Sequence, residues 1–247
     1  MLEWVAIAAI GLGIGFLGGM FGKGGSAVAT PLLFAVGVPA IKAVASPLPA
    51  TIPSTLVAAR AYQKSGFVDW RTVRYSLVTG IPATIAGAVA TRWIGGTALV
   101  TVTEVIIIGI GIRLIVSPSE GEGNGEDFAP AGWRLVVVGA SVGFLAGLLA
   151  NSGGFLLAPL YLTVAKLPIK SALAASLAVS AVLAIPGTVV HAGLGHIDWA
   201  VTAVIALTSI PASRAGAMVA LRTSSDLLER IYGVALVVLG VALLLLR

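Results

Sequence analysis

One stretch constrains this chain more than any other. Leu135 to Ala165 runs for 31 residues without a charged side chain. As one straight helix at ~1.5 Å per residue it would be about 46 Å long, against the roughly 30 Å of a bilayer's hydrocarbon core. The run therefore has to break. Asn151-Ser152-Gly153-Gly154 is the place, because glycine admits backbone angles that other residues resist. Similar apolar runs fill the rest of the chain: Trp4–Gly22, Gly24–Ile41, Ala43–Ala59, Tyr75–Thr91, Ser171–Val190, Trp199–Leu221 (with Arg214 inside) and Ile231–Leu246. A further run, Trp93–Ile112, is interrupted by Glu104.

Only 10% of the residues are charged, where a soluble domain carries about 25%. A chain so poor in charge cannot cover a water-facing surface, so its solvent is mostly lipid. The length allows about eight to ten membrane segments. Fifteen basic residues against 10 acidic ones fall mainly between the apolar runs. That placement sets topology and does not point to nucleic acid. With no cysteine, disulfides and thiolate metal sites are excluded. The start, MLEWVAIAAIGLGIG, lacks a basic n-region and reads as a first membrane segment.

The chain repeats itself. GFLGGMFGKGGSAVATPL at Gly15–Leu32 matches GFLAGLLANSGGFLLAPL at Gly143–Leu160 with an offset of 128. After a one-residue gap the offset is 129: Pro39 pairs with Pro168, Asp69-Trp70 with Asp198-Trp199, and Ile81-Pro82-Ala83 with Ile210-Pro211-Ala212. Residues 1–117 read as the first copy, 118–132 as an acidic cytoplasmic linker and 133–247 as the second copy; the acidic sequence SPSEGEGNGEDFAP lies at Ser117–Pro130. The connection Arg60–Arg74 holds four basic residues and Asp69, whereas its counterpart Val189–Ala203 holds Asp198 and no Lys or Arg. The next connection reverses the bias, with Arg92 alone in one copy and Arg222 and Arg230 in the other. Positive loops stay cytoplasmic, so equivalent loops of opposite bias predict inverted copies. The fold class expected is an all-α polytopic membrane protein. It would have two inverted repeats of about five helical elements each, with a helix broken at each glycine motif. Inversion needs an odd number of crossings, so the short element after each break is expected to cross or nearly cross.

A helix that starts inside a membrane leaves its first N–H groups unpaired and partly positive, which suits an anion. Lys23, Gly24, Gly25 and Ser26 at the first break, and Asn151, Ser152, Gly153 and Gly154 at the second, are the candidate substrate-binding residues. Ser26, or Asn151 and Ser152, can cap the new helices. The competing reading is packing, because Gly15 with Gly19 and Gly143 with Gly147 also form GxxxG spacings. Candidate pathway or coupling residues are Thr51, Ser54, Glu104, Ser176, Ser180 and Arg214. Arg214 can hold an anion, pair with Glu104 or snorkel; Glu104 can carry a proton or serve in an ion pair. The hydroxyls can instead bond their own helices.

Three motif matches carry no chemistry. Gly13–Gly18 fits GxGxxG without a preceding strand, Gly22-Lys23 lacks the Ser/Thr of a P-loop, and Gly139–Gly143 fits GxSxG inside a helix. His191 and His196 are five apart, off a shared helix face, so no metal pair is expected there.

The arrangement resembles the sulfite exporter TauE/SafE family of membrane transporters. The resemblance rests on GFLGGMFGKGGSAVATPLL, its second copy GFLAGLLANSGGFLLAPLY and the two apolar halves about the acidic linker. It implies movement of sulfite, sulfoacetate or another small sulfur-containing or organic anion across a prokaryotic inner membrane. The expectation is a multi-pass secondary transporter, not an enzyme, with no cofactor and no metal. Its partners would be a small anionic substrate, membrane lipid and a coupling proton or sodium ion, without nucleic acid; a homodimer is a candidate assembly. A passive anion channel, or an intramembrane hydrolase using Ser152, are the alternatives.

Overall fold

The structure, a computed structural model, describes residues 2–22, 26–90, 109, 112, 116, 130–148 and 153–245. The described residues form helices and no strand. The first copy contributes α1 (Leu2–Phe21), α2 (Ser26–Ala35), α3 (Ala40–Ala45), α4 (Pro47–Lys64) and α5 (Trp70–Ala90). The second contributes α6 (Gly132–Leu148), α7 (Gly154–Thr163), α8 (Ile169–Gly193), α9 (Trp199–Arg222) and α10 (Ser225–Leu245). Helix α6 begins at Gly132, the last residue of the stretch read as linker; most of that linker, and the segment Trp93–Ile112 apart from Gly109 and Ile112, lie outside the described residues.

Three described helices are long and apolar enough to cross a bilayer on their own: Glu3–Phe21, Ile169–Gly193 and Trp199–Arg222. Helices α5 and α10, 21 residues each, have the length to do so as well, about 30 Å. Helices α2 and α7 do not. Each has 10 residues, about 15 Å, roughly half of the hydrocarbon core. The described helix of each short element is therefore too short to make the expected crossing alone.

The repeated Asp-Trp pair is a helix start. Asp69 Oδ1 accepts from Arg71 N at 2.9 Å and Oδ2 from Thr72 N at 3.1 Å, while Asp198 Oδ1 accepts from Ala200 N and Val201 N at 3.1 and 3.3 Å. Each carboxylate thus satisfies amides that the helix leaves orphaned. The next residues, Trp70 and Trp199, are exposed, as are Trp4 near the start of α1 and Trp133 near the start of α6. Indole side chains, apolar rings with one N–H donor, belong at a membrane–water interface.

The copies differ at one junction. In the first, Pro47 and Pro49 cannot donate to the carbonyls four residues back, and the helix is interrupted at Ser46 between α3 and α4. In the second, Ser176 and Ala178 stand at those positions, and α8 runs unbroken for 25 residues.

Packing pairs the copies. A Cβ on Gly11, Gly15 or Gly19 of α1 would meet Thr208, Ser209 or Ser213 of α9. A Cβ on Gly139 or Gly143 of α6 would meet Ser76 with Thr79, or Gly80, of α5. These are the same contacts at the repeat offsets, and they bring backbone against backbone as small residues allow. The order of the contacts shows that α1 runs parallel to α9, and α5 parallel to α6. Thr202 Oγ1 donates to Ser46 O and Ser213 Oγ to Ser54 O, both at 2.8 Å, so α4 also runs parallel to α9. Helix α4 meets its own counterpart α8 the other way round. Gly187, late in α8, faces Leu48, early in α4, whereas Tyr62, late in α4, donates to Met20 O beside the part of α1 that touches Ser176, early in α8. Since α1 and α4 run the same way, the chain between them makes a full return, through α2 and the connections around it.

These directions gather charge at one end. Arg60 and Lys64 of α4, Arg71 and Arg74 of α5, Arg134 of α6, Lys170 of α8 and Arg222 of α9 all lie at the end where α4 finishes and α5 begins. Lys42 lies at the opposite end, with Asp198. The chain is a multi-pass, all-α membrane protein.

Candidate functional site

Each glycine break carries a left-handed glycine, at its start in the first copy and near its end in the second. Gly22, after α1, has φ +68°, and Gly153, before α7, has φ +69°. Glycine takes this left-handed conformation at little cost. A Cβ on Gly153 would also lie 2.9 Å from Val142 Cγ1 and 3.0 Å from Ala146 Cβ. The cap of α7 corrects the sequence reading. Its N-cap is Gly153 itself, with no side-chain cap bond, and not Asn151 or Ser152. The packing against α6 leaves no room for a side chain there. Gly153 O accepts from Leu156 N at 3.0 Å and Leu157 N at 3.2 Å.

Ser176 joins the breaks. Its Oγ lies 2.7 Å from Gly22 O and 3.1 Å from Gly154 O, and the residue is fully buried. One hydroxyl thus holds the end of α1 and the start of α7 on the same part of α8. Ser176 sits seven residues into that helix, about 10 Å from its start. Gly153 and Gly154 are buried, and Ser26 is the first residue of α2. Lys23, Gly24, Gly25, Asn151, Ser152 and Glu104 lie outside the described residues.

The remaining candidates separate. Thr51, Ser54 and Ser180 are buried. Thr51 Oγ1 donates to Pro47 O at 3.0 Å and Ser54 Oγ to Thr51 O at 3.0 Å, within their own helix. Ser180 Oγ is buried with no partner among the described residues. Arg214 is exposed on the outside of α9, the placement that snorkelling requires.

Two polar pairings escaped the sequence reading. His191 and His196 do meet, with their Nδ1 atoms 3.2 Å apart. Helix α8 ends at Gly193 and the chain folds back, so His196 N donates to His191 O at 3.0 Å. Helical spacing therefore does not govern this pair. No group of three or more metal-ligating side chains accompanies it among the described residues.

The second pairing is an interlock outside the spans. Lys42 Nζ lies 3.2 Å from Asp198 Oδ2, and Asp198 N donates to Ser46 Oγ at 3.0 Å. The amide of Val201, with further help from Lys42 and Ala200, holds the Asp198 carboxyl below its ordinary pKa, against a smaller opposing effect of burial. A depressed carboxylate stabilises the fold above the ordinary pKa of about 3.9, and that contribution is lost as pH falls through the lower folded value. Thermal unfolding in detergent is expected to show this acid-dependent loss below about pH 4 in wild type, and less of it in Asp198→Asn. Identical acid profiles for the two proteins would remove Asp198 from the interlock.

Comparison with known proteins places this architecture. A 24% identical protein of Bacillus subtilis (strain 168), "Probable membrane transporter protein YjnA", aligns over 97% of this chain and 99% of its own length. A "Probable membrane transporter protein" of Xylella fastidiosa (strain 9a5c) is 26% identical over 96% of this chain and 93% of its own length. MJ0441 of Methanocaldococcus jannaschii, named in the same words, is 23% identical over 96% of this chain and 93% of its own. No solved structure matches. The sequence model of the family "Sulfite exporter TauE/SafE" matches residues 7–243, nearly the whole chain, and the chain therefore belongs to that family.

Proposed function

We propose that this chain, a membrane transporter of that family, is a secondary transporter for a small anion of the sulfite or organosulfonate class, working in the inner membrane without catalysing a reaction. One observation carries the reading. The two breaks, 128 residues apart in sequence, meet on one buried hydroxyl, Ser176. A substrate lying there would face the first turns of α2 and α7. Their unpaired N–H groups favour negative charge. Lys23, Gly24, Gly25 and Ser26 would hold it from one copy, and Asn151, Ser152, Gly153 and Gly154 from the other.

Inversion is part of the same proposal. The antiparallel meeting of α4 with its counterpart α8 supports it, and so does the clustering of basic side chains at one end. Two inverted copies about a shared site suit alternating access, in which one copy rocks against the other. The name of the family model supports the sulfur-containing class of substrate.

Lys23 supplies the one full positive charge at the breaks. Lys23→Ala in proteoliposomes is expected to raise the half-saturating concentration for sulfite uptake about tenfold, the cost of losing a charge-assisted contact of ~1.5 kcal/mol. Uptake unchanged at low substrate would remove Lys23 from the site.

A further inference from the structure

A cavity lies between α1, α4 and α9, away from the residues that meet at Ser176. It encloses about 280 Å³ of empty space, part of it open to the surface. Its closed part has room for about one water-sized group. Gly15 of α1, the hydroxyl residues Thr51, Ser54 and Thr55 of α4, and Ser209 and Ser213 of α9 line it. Ser209 lies ten residues past the start of α9, about 15 Å along it, half the depth of a bilayer core.

The protons of these hydroxyls are largely committed. Thr51 Oγ1 donates to Pro47 O at 3.0 Å, Thr55 Oγ1 to Thr51 O at 2.8 Å and Ser213 Oγ to Ser54 O at 2.8 Å. Ser54 Oγ donates to Thr51 O at 3.0 Å. What their oxygens still offer is lone pairs. Ser209 Oγ is buried, 3% exposed as a residue, and has no partner among the described residues. An unpartnered hydroxyl at that depth is costly unless something fills the cavity beside it.

The lining decides what that is. It has no titratable side chain, so it does not carry a proton. An anion would meet acceptors. A divalent cation would shed its water with no carboxylate to compensate. A single water satisfies Ser209 Oγ but leaves most of the surrounding lone pairs unused, whereas a small monovalent cation engages several of them at once. We infer that the cavity is a binding site for a dehydrated monovalent cation of sodium's size, held by neutral hydroxyl oxygens of α4 and α9.

The second copy keeps hydroxyls at two of these positions, Ser180 and Thr84, and loses the other three. At the repeat offset Leu183 replaces Ser54, Ala184 replaces Thr55 and Gly80 replaces Ser209. Leu183 Cδ2 lies 3.3 Å from where a Cβ on Gly80 would be, so hydrocarbon occupies the space. The proposed site lies next to the helix that leads into the first break. As a coupling ion it rests on the transport reading above; its binding does not.

The test is therefore made without any anionic substrate. Melting of the purified protein in detergent is followed as sodium replaces choline at constant ionic strength. Wild type is expected to show a saturable rise in Tm with sodium and none with choline, and Ser209→Ala to weaken the apparent sodium affinity about tenfold. Thr51→Val, which keeps the shape and removes an oxygen, is expected to do the same should Ser209→Ala fold poorly. A shift as large in potassium or choline, or wild-type sodium affinity in the folded variants, overturns the site. Either result leaves the anion uptake test of Lys23 to stand or fall on its own.

Discussion

Gly143→Val is expected to destabilise the protein by about 3 kcal/mol or more, the upper range for forcing atoms into a packed interface. The cause is backbone, which cannot step aside. A side chain at Gly143 of α6 would strike the carbonyl oxygen and Cα of Gly80 in α5. At this chain length the loss corresponds to a fall in Tm of roughly 6–12 °C. The repeat adds a second arm. Gly15→Val presses on Ser209 of α9 in the equivalent place and is expected to cost about the same. Gly13→Val is the control, because a Cβ there meets nothing within 4 Å. Thermal unfolding of the three variants side by side checks this. If Gly13→Val fell as far as Gly143→Val, helix propensity or expression would be the cause, and the close crossing of the copies would not.

Ser176→Ala is expected to cut anion uptake about tenfold while leaving the protein folded. The substitution removes the one donor shared by Gly22 O and Gly154 O. Losing this buried hydrogen bond costs about 0.5–1.5 kcal/mol, and the cost falls on the contact that joins the two breaks. Once released, the end of α1 and the start of α7 no longer hold one geometry. Ser180→Ala separates this effect from the mere loss of a hydroxyl. Ser180 is equally buried, one turn on along α8, but its Oγ has no partner among the described residues. Removing it is expected to be neutral or slightly stabilising. Uptake measured in proteoliposomes with matched protein content distinguishes the two. Equal losses would mean that Ser176 acts only by filling space.

Much of this architecture was legible in the sequence because its landmarks act locally. Asp69 and Asp198 cap the helices that follow them whatever those helices pack against. The glycines at offsets of 128 and the two Ile-Pro-Ala triplets mark equivalent places in equivalent helices. The 31-residue run had to break, and glycine fixed where. What could not be read depends on contacts distant in sequence. Ser176 and Ser180 look alike along the chain; only the arrival of Gly22 and Gly154 makes one of them a junction. Ser209 and Ser213 drew no notice because a serine in a membrane helix ordinarily bonds its own backbone. Hydropathy also does not show where a turn ends a helix; Gly37, with φ +93°, supplies that turn after α2. The cap of α7 was misassigned for a similar reason. Asn151 and Ser152 are good capping residues, but Val142 and Ala146 leave only glycine room at the position that matters.

The central claim is that the two breaks form one anion site. The measurement that tests it most directly is calorimetric titration of the purified protein with sulfite, sulfate, thiosulfate, sulfoacetate and simple carboxylates. The account predicts saturable binding of a sulfite-class or sulfonate anion at one per chain, weakened by Lys23→Ala and by Ser176→Ala alike. Saturable binding that neither variant alters, or no binding by any of these anions, would contradict it.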